Sequence, residues 1–424
     1  MHYKCPHYKD PLQTAPFMTT SIFNKIGPGF VIAATGLGAG DLIAATVAGI
    51  EFKTALLWAV VLGAFLKYGL NEALARWQLE TGTTLLEGWM QRLPKWVRYY
   101  FVGYLSLWSF LVSAALMGAC GLAANALLPQ LSVNQWAIIH SLLAVVMILY
   151  GRYSLFENLM KLFIGIMFVT VFAAVINLPL DWNAITTGLI PNTPEHSLKL
   201  VLGVIGGVGG SVTLMCYGYW LREKNWSTTD DISSMRIDLC CAYAVTALFG
   251  IFIVILAASV QPEMVKGSGV LLALAEQLTY TLGDTFGLLF LVGFWGAVFS
   301  SMLGVWQGVP YLFADYYQQS QNSRQQQSNG ELDLQHLNRT KPYYLWLGFM
   351  ALPPYLLLFF EKPIWLAITY AVAGAFFMPF LAATLLYMNN RVQWLKENRN
   401  GVFSNSLLAG AFLLFVVLLI QKWL

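Results

Sequence analysis

Eleven stretches of this chain are apolar over membrane-crossing lengths, and its polar residues collect in the links between them. A helix that spans a bilayer needs about 20 mostly apolar residues. The stretches that meet this run approximately over 27–50, 54–75, 99–127, 134–150, 156–178, 198–221, 238–261, 285–311, 343–360, 364–388 and 402–421. A shorter amphipathic run, GVLLALAEQLTY at 269–280, is expected to lie on the membrane surface before the eighth span. The Gln-rich stretch QQSQNSRQQQSNGELD, 318–333, has no periodicity and predicts a disordered loop between spans eight and nine.

Two of the spans interrupt themselves at mid-length. The first reads GPGFVIAATGLGAGDLIAATVAGI over 27–50, with Gly36, Gly38 and Gly40 followed at once by Asp41. An interior glycine costs a helix about 1 kcal/mol relative to alanine. A carboxylate near the bilayer centre costs about 2.5–3.5 kcal/mol on insertion scales. A span that only anchors a protein needs neither. The sixth span, VLGVIGGVGGSVTLMCYGYW over 201–220, crowds glycines 203, 206, 207, 209 and 210 into its first half. Ser211, Thr213, Met215 and Cys216 follow. Close helix packing through small residues accounts for either span alone. Interruptions in places one and six, with an acid beside one, predict two five-helix halves around a cavity of unwound backbone.

The expected fold is therefore an all-α polytopic membrane protein of about eleven transmembrane helices, an inverted 5+5 repeat with broken helices one and six. Residues 1–26 form an N-terminal tail, 27–178 the first repeat, 198–388 the second with a loop at 318–342, and 402–424 the eleventh helix. Composition agrees: 58% of the 424 residues are hydrophobic and 11% charged, against about 25% charged in soluble chains. Mean hydropathy is +0.61. The lipid bilayer is the one partner this composition demands; nothing points to nucleic acid or to an obligatory protein partner. Cys5, Cys120, Cys216, Cys240 and Cys241 show no paired spacing, so no disulfide framework is expected. The polar N-terminus has no signal-type apolar run, and His2, Cys5 and His7 read as a solvated tail rather than a metal cluster.

Basic residues orient the spans. With the N-terminus inside, seventeen of the 24 Lys and Arg fall on the cytoplasmic side, five outside (Lys53, Lys199, Lys266, Lys362, Lys422), and Lys67 and Lys161 within spans. This predicts a multi-pass inner-membrane protein with a cytoplasmic N-terminus and an external C-terminus. The five histidines, at 2, 7, 140, 196 and 336, form no catalytic constellation, and an enzyme is not expected.

Several motifs give the chain a family likeness. Gly27-Pro28-Gly29-Phe30 opens the first span; Arg76, Thr81-Gly82 and Leu85-x-Glu87 follow the second. Ser300-Ser301 lies in the eighth, and Met378-Pro379-Phe380 with Asn390-Arg391 marks the tenth and its exit. In these the chain resembles the Nramp family of divalent metal transporters over most of its length. The resemblance implies the LeuT-like inverted repeat and a transported divalent ion such as Mn²⁺ or Fe²⁺, with no bound cofactor. The family's first-span Asp-Pro-Gly-Asn becomes Gly38-Ala39-Gly40-Asp41 here, so the first ligand position lacks its carboxylate and the amide position has gained one. Its Met-Pro-His becomes Met215-Cys216-Tyr217. The acids of the third span, which take part in proton movement in the family, are absent, as are the family's arginines of the ninth, and Phe377 stands in place of a glutamine of the tenth. In this respect the chain looks nearer to relatives that move metal without protons, and it reads as a symporter or uniporter.

The expected site is thus Asp41 for charge, Met215 for softness toward transition ions, and carbonyls freed near Thr35 and Val212. Gly38, Thr213, Cys216 and Tyr217 are candidate lining residues. Each has a plainer reading: Asp41 as an N-cap of the second half-helix, Met215 as filler, Cys216 as a small packing residue. His140 is expected to hydrogen-bond a neighbouring helix, and Glu72 with Lys67 or Arg76 to form a snorkelling, cytoplasm-facing set. The alternative cargo on the same architecture is a small organic solute such as an amino acid.

Overall fold

Backbone polar groups find no water inside a bilayer, so apolar runs must close their hydrogen bonds within helices. The computed structural model describes residues 27–150, 153–260, 270–325, 337–360, 362–395 and 397–423. The tail 1–26, with His2, Cys5 and His7, and residues 326–336, which include the end of the Gln-rich stretch, lie outside the described residues. The helices are α1 (Pro28–Gly36), α2 (Ala39–Phe52), α3 (Leu57–Thr81), α4 (Leu85–Arg92), α5 (Lys95–Leu127), α6 (Val133–Tyr150), α7 (Tyr153–Ile176) and α8 (Trp182–Gly188). They continue as α9 (Leu198–Gly207), α10 (Tyr217–Glu223), α11 (Ile232–Ala258), α12 (Val270–Leu282), α13 (Asp284–Gln325), α14 (Lys341–Ala351), α15 (Pro363–Asn389) and α16 (Val402–Trp423). Every expected span coincides with one helix or a broken pair. Among the described residues eight helices are long and apolar enough to cross a membrane, nine when the bent pair α1–α2 counts as one span. Eleven were expected; α7 and α16 stand at the two remaining places.

Both predicted breaks are present. The axes of α1 and α2 differ by 49°. The sixth span divides into α9, a glycine turn, a 3-10 helix over Val212–Cys216, and α10. α2 packs on α9 and α11, and α1 on α11 and α13. α5 lies against α6, α13 and α15, with α16 outside α15. Leu142, Leu143, Val146 and Leu149 of α6 are exposed, an apolar outer face suited to lipid.

One expectation is corrected here. Residues 318–325, taken as the start of a disordered loop, continue α13 to Gln325. The reason is burial at the end of that helix. Asp315 accepts hydrogen bonds from Thr84 Oγ1 (2.7 Å) and the Tyr219 hydroxyl (2.6 Å), and Gln319, one turn on, is buried beside it. A second correction concerns Lys67. Glu72 pairs with Arg76 (3.1 Å) and with Arg236 of α11 (2.8 Å), while Lys67 is fully buried and takes no part. Arg76 also donates to the Asn398 carbonyl and the Asn400 side chain, tying α3 to the link before α16. His140 behaves as expected: Trp295 of α13 donates to its Nε2 at 2.7 Å, and its Nδ1 faces the Trp136 carbonyl at 2.7 Å.

The entry to α1 explains the Gly-Pro-Gly opening. The N–H groups of Gly27 and Gly29 donate to Asp238 of α11 at 2.9 and 2.6 Å, and the Tyr217 hydroxyl donates to the same carboxylate at 2.8 Å. Pro28, at the first helical position, has no N–H to satisfy. The negative side chain also suits the positive end of the helix dipole. Asp238 thereby fixes the first broken span to the seventh and to α10. Replacing it strands buried donors, each costing about 1–3 kcal/mol. Asp238→Ala should lower stability by roughly 2–4 kcal/mol, read as a fall in denaturation midpoint of the detergent-solubilised protein; Tyr217→Phe should cost about 1 kcal/mol.

Candidate functional site

The two breaks meet. α1 ends at Gly36, where the Leu37 N–H closes on Ala33 at 2.8 Å, and α2 starts one residue after Gly38. In the sixth span Gly209 and Gly210 take φ of 71° and 82°, a left-handed pair that side-chain-bearing residues rarely adopt. A Cβ on Gly36 would lie 2.8–3.0 Å from the backbone of Gly209 and Gly210. The glycines therefore let two unwound backbones touch, which small-residue helix packing alone would not require.

Asp41 sits in the first turn of α2 but does not cap it. The N-cap is Gly38, without a side-chain hydrogen bond. Instead Asp41 Oδ2 accepts from the Gly209 N–H at 3.0 Å, reaching across to the sixth span. The residue is 5% exposed, and its Oδ1 has no partner among the described residues. A Cβ on Gly207 would come within 3.0 Å of that oxygen, so Oδ1 looks along the end of α9. The hydroxyls of Ser211 and Thr213 are also buried without partners. Thr213 Oγ1 lies against Gly210, whose added Cβ would stand 3.9 Å from Gly36. Three unpaired buried polar atoms thus surround one break, where each would ordinarily be satisfied by protein, water or ligand.

The other expected residues divide. Thr35 is at the break; its carbonyl accepts from Ser301 Oγ of α13 at 2.6 Å, and its own hydroxyl donates back to Val31 at 2.6 Å. Gly38 faces the same serine, whose side chain fills the space a Cβ would need. Val212 and Met215 are buried in the 3-10 turn, which packs on α1, α3 and α13. Cys216 and Tyr217 are directed elsewhere. The Cys216 sulfur lies against Gly308 of α13, and the Tyr217 hydroxyl serves Asp238. Among the described residues no three His, Cys, Asp or Glu side chains gather. A cation here would rest on one carboxylate, one thioether and hydroxyl or carbonyl oxygens.

The residue that sequence reasoning misplaced is Lys67. Its ammonium donates to the Gly206 carbonyl at 2.7 Å and to the Gly210 carbonyl, so it bridges the break in the sixth span. It shares this break with Asp41, whose carboxylate is held by Gly209 between the two carbonyls. A signal for this was present. Lys67 is the eleventh residue of α3, about 15 Å from the nearer helix end, further than a lysine stem can snorkel. One turn on, Asn71 donates to the Tyr243 hydroxyl at 3.2 Å, and the Tyr243 ring backs Gly209. Asp238, which holds the entry to α1, also escaped notice, because an acid near a span end looks like an ordinary interfacial charge.

Solved structures share this architecture. A manganese transporter of Eremococcus coleocola, crystallised with an aromatic bis-isothiourea substituted compound, superposes with TM-score 0.76 at 14% identity, covering 96% of this chain and 87% of that one. A histidine-to-alanine mutant of the same transporter gives the same values. MhsT in complex with L-phenylalanine follows at TM-score 0.53 and 14% identity, covering 93% and 97%. These likenesses establish a LeuT-like fold. An uncharacterized protein of Pasteurella multocida (strain Pm70) is 27% identical over 158 residues, 37% of this chain and 36% of that relative. The match therefore spans little more than a third of the relative's length. The family model described as natural resistance-associated macrophage protein-like matches residues 29–423. With both broken spans, the glycine crossing and this near-complete match, the chain belongs to the Nramp family.

Proposed function

We propose that this protein is a secondary transporter that moves a divalent transition-metal cation of the Mn²⁺ or Fe²⁺ kind across the inner membrane by alternating access. The observation that carries this reading is the unpartnered Asp41 Oδ1, buried where the two broken spans cross. A carboxylate oxygen left bare in an apolar interior is costly unless something arrives to pair with it. Asp41 supplies the charge, Met215 a thioether that favours transition ions over Mg²⁺ and Ca²⁺, and the carbonyls near Thr35 and Val212 the remaining donors. Thr213 adds a hydroxyl without a protein partner. Rocking of spans one and six against the third, fourth, fifth and eighth opens the site to one side and then the other. The basic-residue asymmetry favours a cytoplasmic N-terminus and an external C-terminus.

One observation favours a second cargo. Lys67 and Asp41 place an ammonium and a carboxylate at the same break, a pair complementary to a zwitterion such as an amino acid. A panel of metals and amino acids in a thermal-shift assay separates the two, since only a ligand of the folded state raises Tm. Stabilisation by Mn²⁺ with no response to amino acids is expected; the reverse result replaces the metal with an organic solute. In proteoliposomes Asp41→Ala should abolish Mn²⁺ uptake, with a lowered Tm but a protein still folded and monodisperse at the assay temperature, and full uptake by that variant would remove Asp41 from the site. Met215→Ala should weaken apparent Mn²⁺ affinity by about tenfold, the factor carried by roughly 1.4 kcal/mol, with a smaller change for Ca²⁺.

A further inference from the structure

The sixth-span break presents its bare carbonyls to an amine from its own chain. α9 ends at Gly207, and a helix C-terminus carries negative partial charge on carbonyls that have lost their helical donors. Gly206 precedes the left-handed pair and Gly210 is its second member, and the Lys67 ammonium donates to both carbonyls. Between them the Gly209 N–H holds Asp41 Oδ2. Two carbonyl oxygens and a nearby buried carboxylate, gathered at an unwound helix end, are the donor chemistry by which broken-helix transporters hold small monovalent cations. Lys67 is 0% exposed, so the amine reaches no aqueous surface from this position.

We propose that the Gly206 and Gly210 carbonyls, beside the Asp41 carboxylate that Gly209 holds, form a site for a small monovalent cation, and that this chain keeps it filled with the tethered ammonium of Lys67. Asp41 borders both this site and the cargo donors, but the chemistry differs: this site needs hard oxygens and a single positive charge, and uses neither Met215 nor the hydroxyls. Three consequences follow physically. Asp41 has a counter-charge at the same break while its Oδ1 stays unpaired for cargo, the broken sixth span is fastened to α3 without an ion from solution, and the folded state owes nothing to Na⁺ or K⁺. The proposal depends on the broken-helix fold and is independent of which cargo is carried.

The test uses the purified full chain in detergent at constant ionic strength, with N-methylglucamine, Na⁺, K⁺ or methylammonium as the only monovalent cation. Wild type should show one Tm in all four. Lys67→Ala should lose about 5 °C or more in N-methylglucamine and recover at least half of that loss in methylammonium or Na⁺, which fit the vacated place. A wild-type Tm that rises with Na⁺ would show that the lysine does not fill the site. An alanine variant as stable as wild type, or one that no small cation restores, would reduce Lys67 to an ordinary packing group. Should Lys67→Ala not fold, Lys67→Gln keeps hydrogen-bond donors without charge. Asp41→Asn should then raise the Tm of Lys67→Gln while lowering that of wild type, and additive effects would overturn the proposal. None of these readouts involves a divalent metal, so failure of Mn²⁺ uptake and failure of this inference are separate results.

Discussion

Every backbone N–H and C=O inside a bilayer must find a partner, and this protein breaks two helices at the point where partners are scarcest. The rest of the interior is arranged around that constraint. Gly209 gives its N–H to Asp41, Gly206 and Gly210 give their carbonyls to Lys67, and Thr35 gives its carbonyl to Ser301. Each partner arrives from a different helix: α2, α3 and α13. The broken spans are therefore held by side chains, which can exchange one partner for another, where an unbroken helix would hold itself. That is the physical basis for a site that opens and closes.

Charge follows the same logic. The family resemblance aligns the motif's acid with position 38, where this chain has glycine; Gly38 makes room for Ser301, and the carboxylate stands three residues later, on the first turn of the second half-helix. From there it reaches the sixth span instead of capping its own helix. A lysine comes in from the second span to meet the neighbouring carbonyls. Acid and amine meet at the same break, and each buried group is made tolerable by its hydrogen bonds to the backbone of the sixth span. Away from the site, carboxylates take a different role: Asp238, Glu72 and Asp315 fasten α11, α3 and α13 to the segments they contact.

Much of the fold was legible because its signals are local. Span length, glycine clustering and the apolar period each depend on a window of about 20 residues, and all eleven expected spans met a helix or helix pair. The Gln-rich stretch was misread at its start because composition alone cannot register that Asp315 and Gln319 are buried against Thr84 and Tyr219. Of the candidate site residues, Asp41, Thr35, Val212 and Thr213 lie at the breaks that the glycines mark in the sequence. Cys216 and Tyr217 share that neighbourhood in sequence, but helical rotation turns them toward Gly308 and Asp238.

By itself, then, the sequence determined that this is a broken-helix membrane protein and which two segments break, since a glycine run and an acid inside an apolar stretch have no cheaper explanation. Tertiary structure alone decided what the acid does and where the lysine goes. Asp41 and Gly209 are separated by 168 residues, and Lys67 and Gly206 by 139; no local pattern encodes such pairings. They arise because the two unwound backbones cross at one depth, leaving donors and acceptors that only side chains from neighbouring helices can reach.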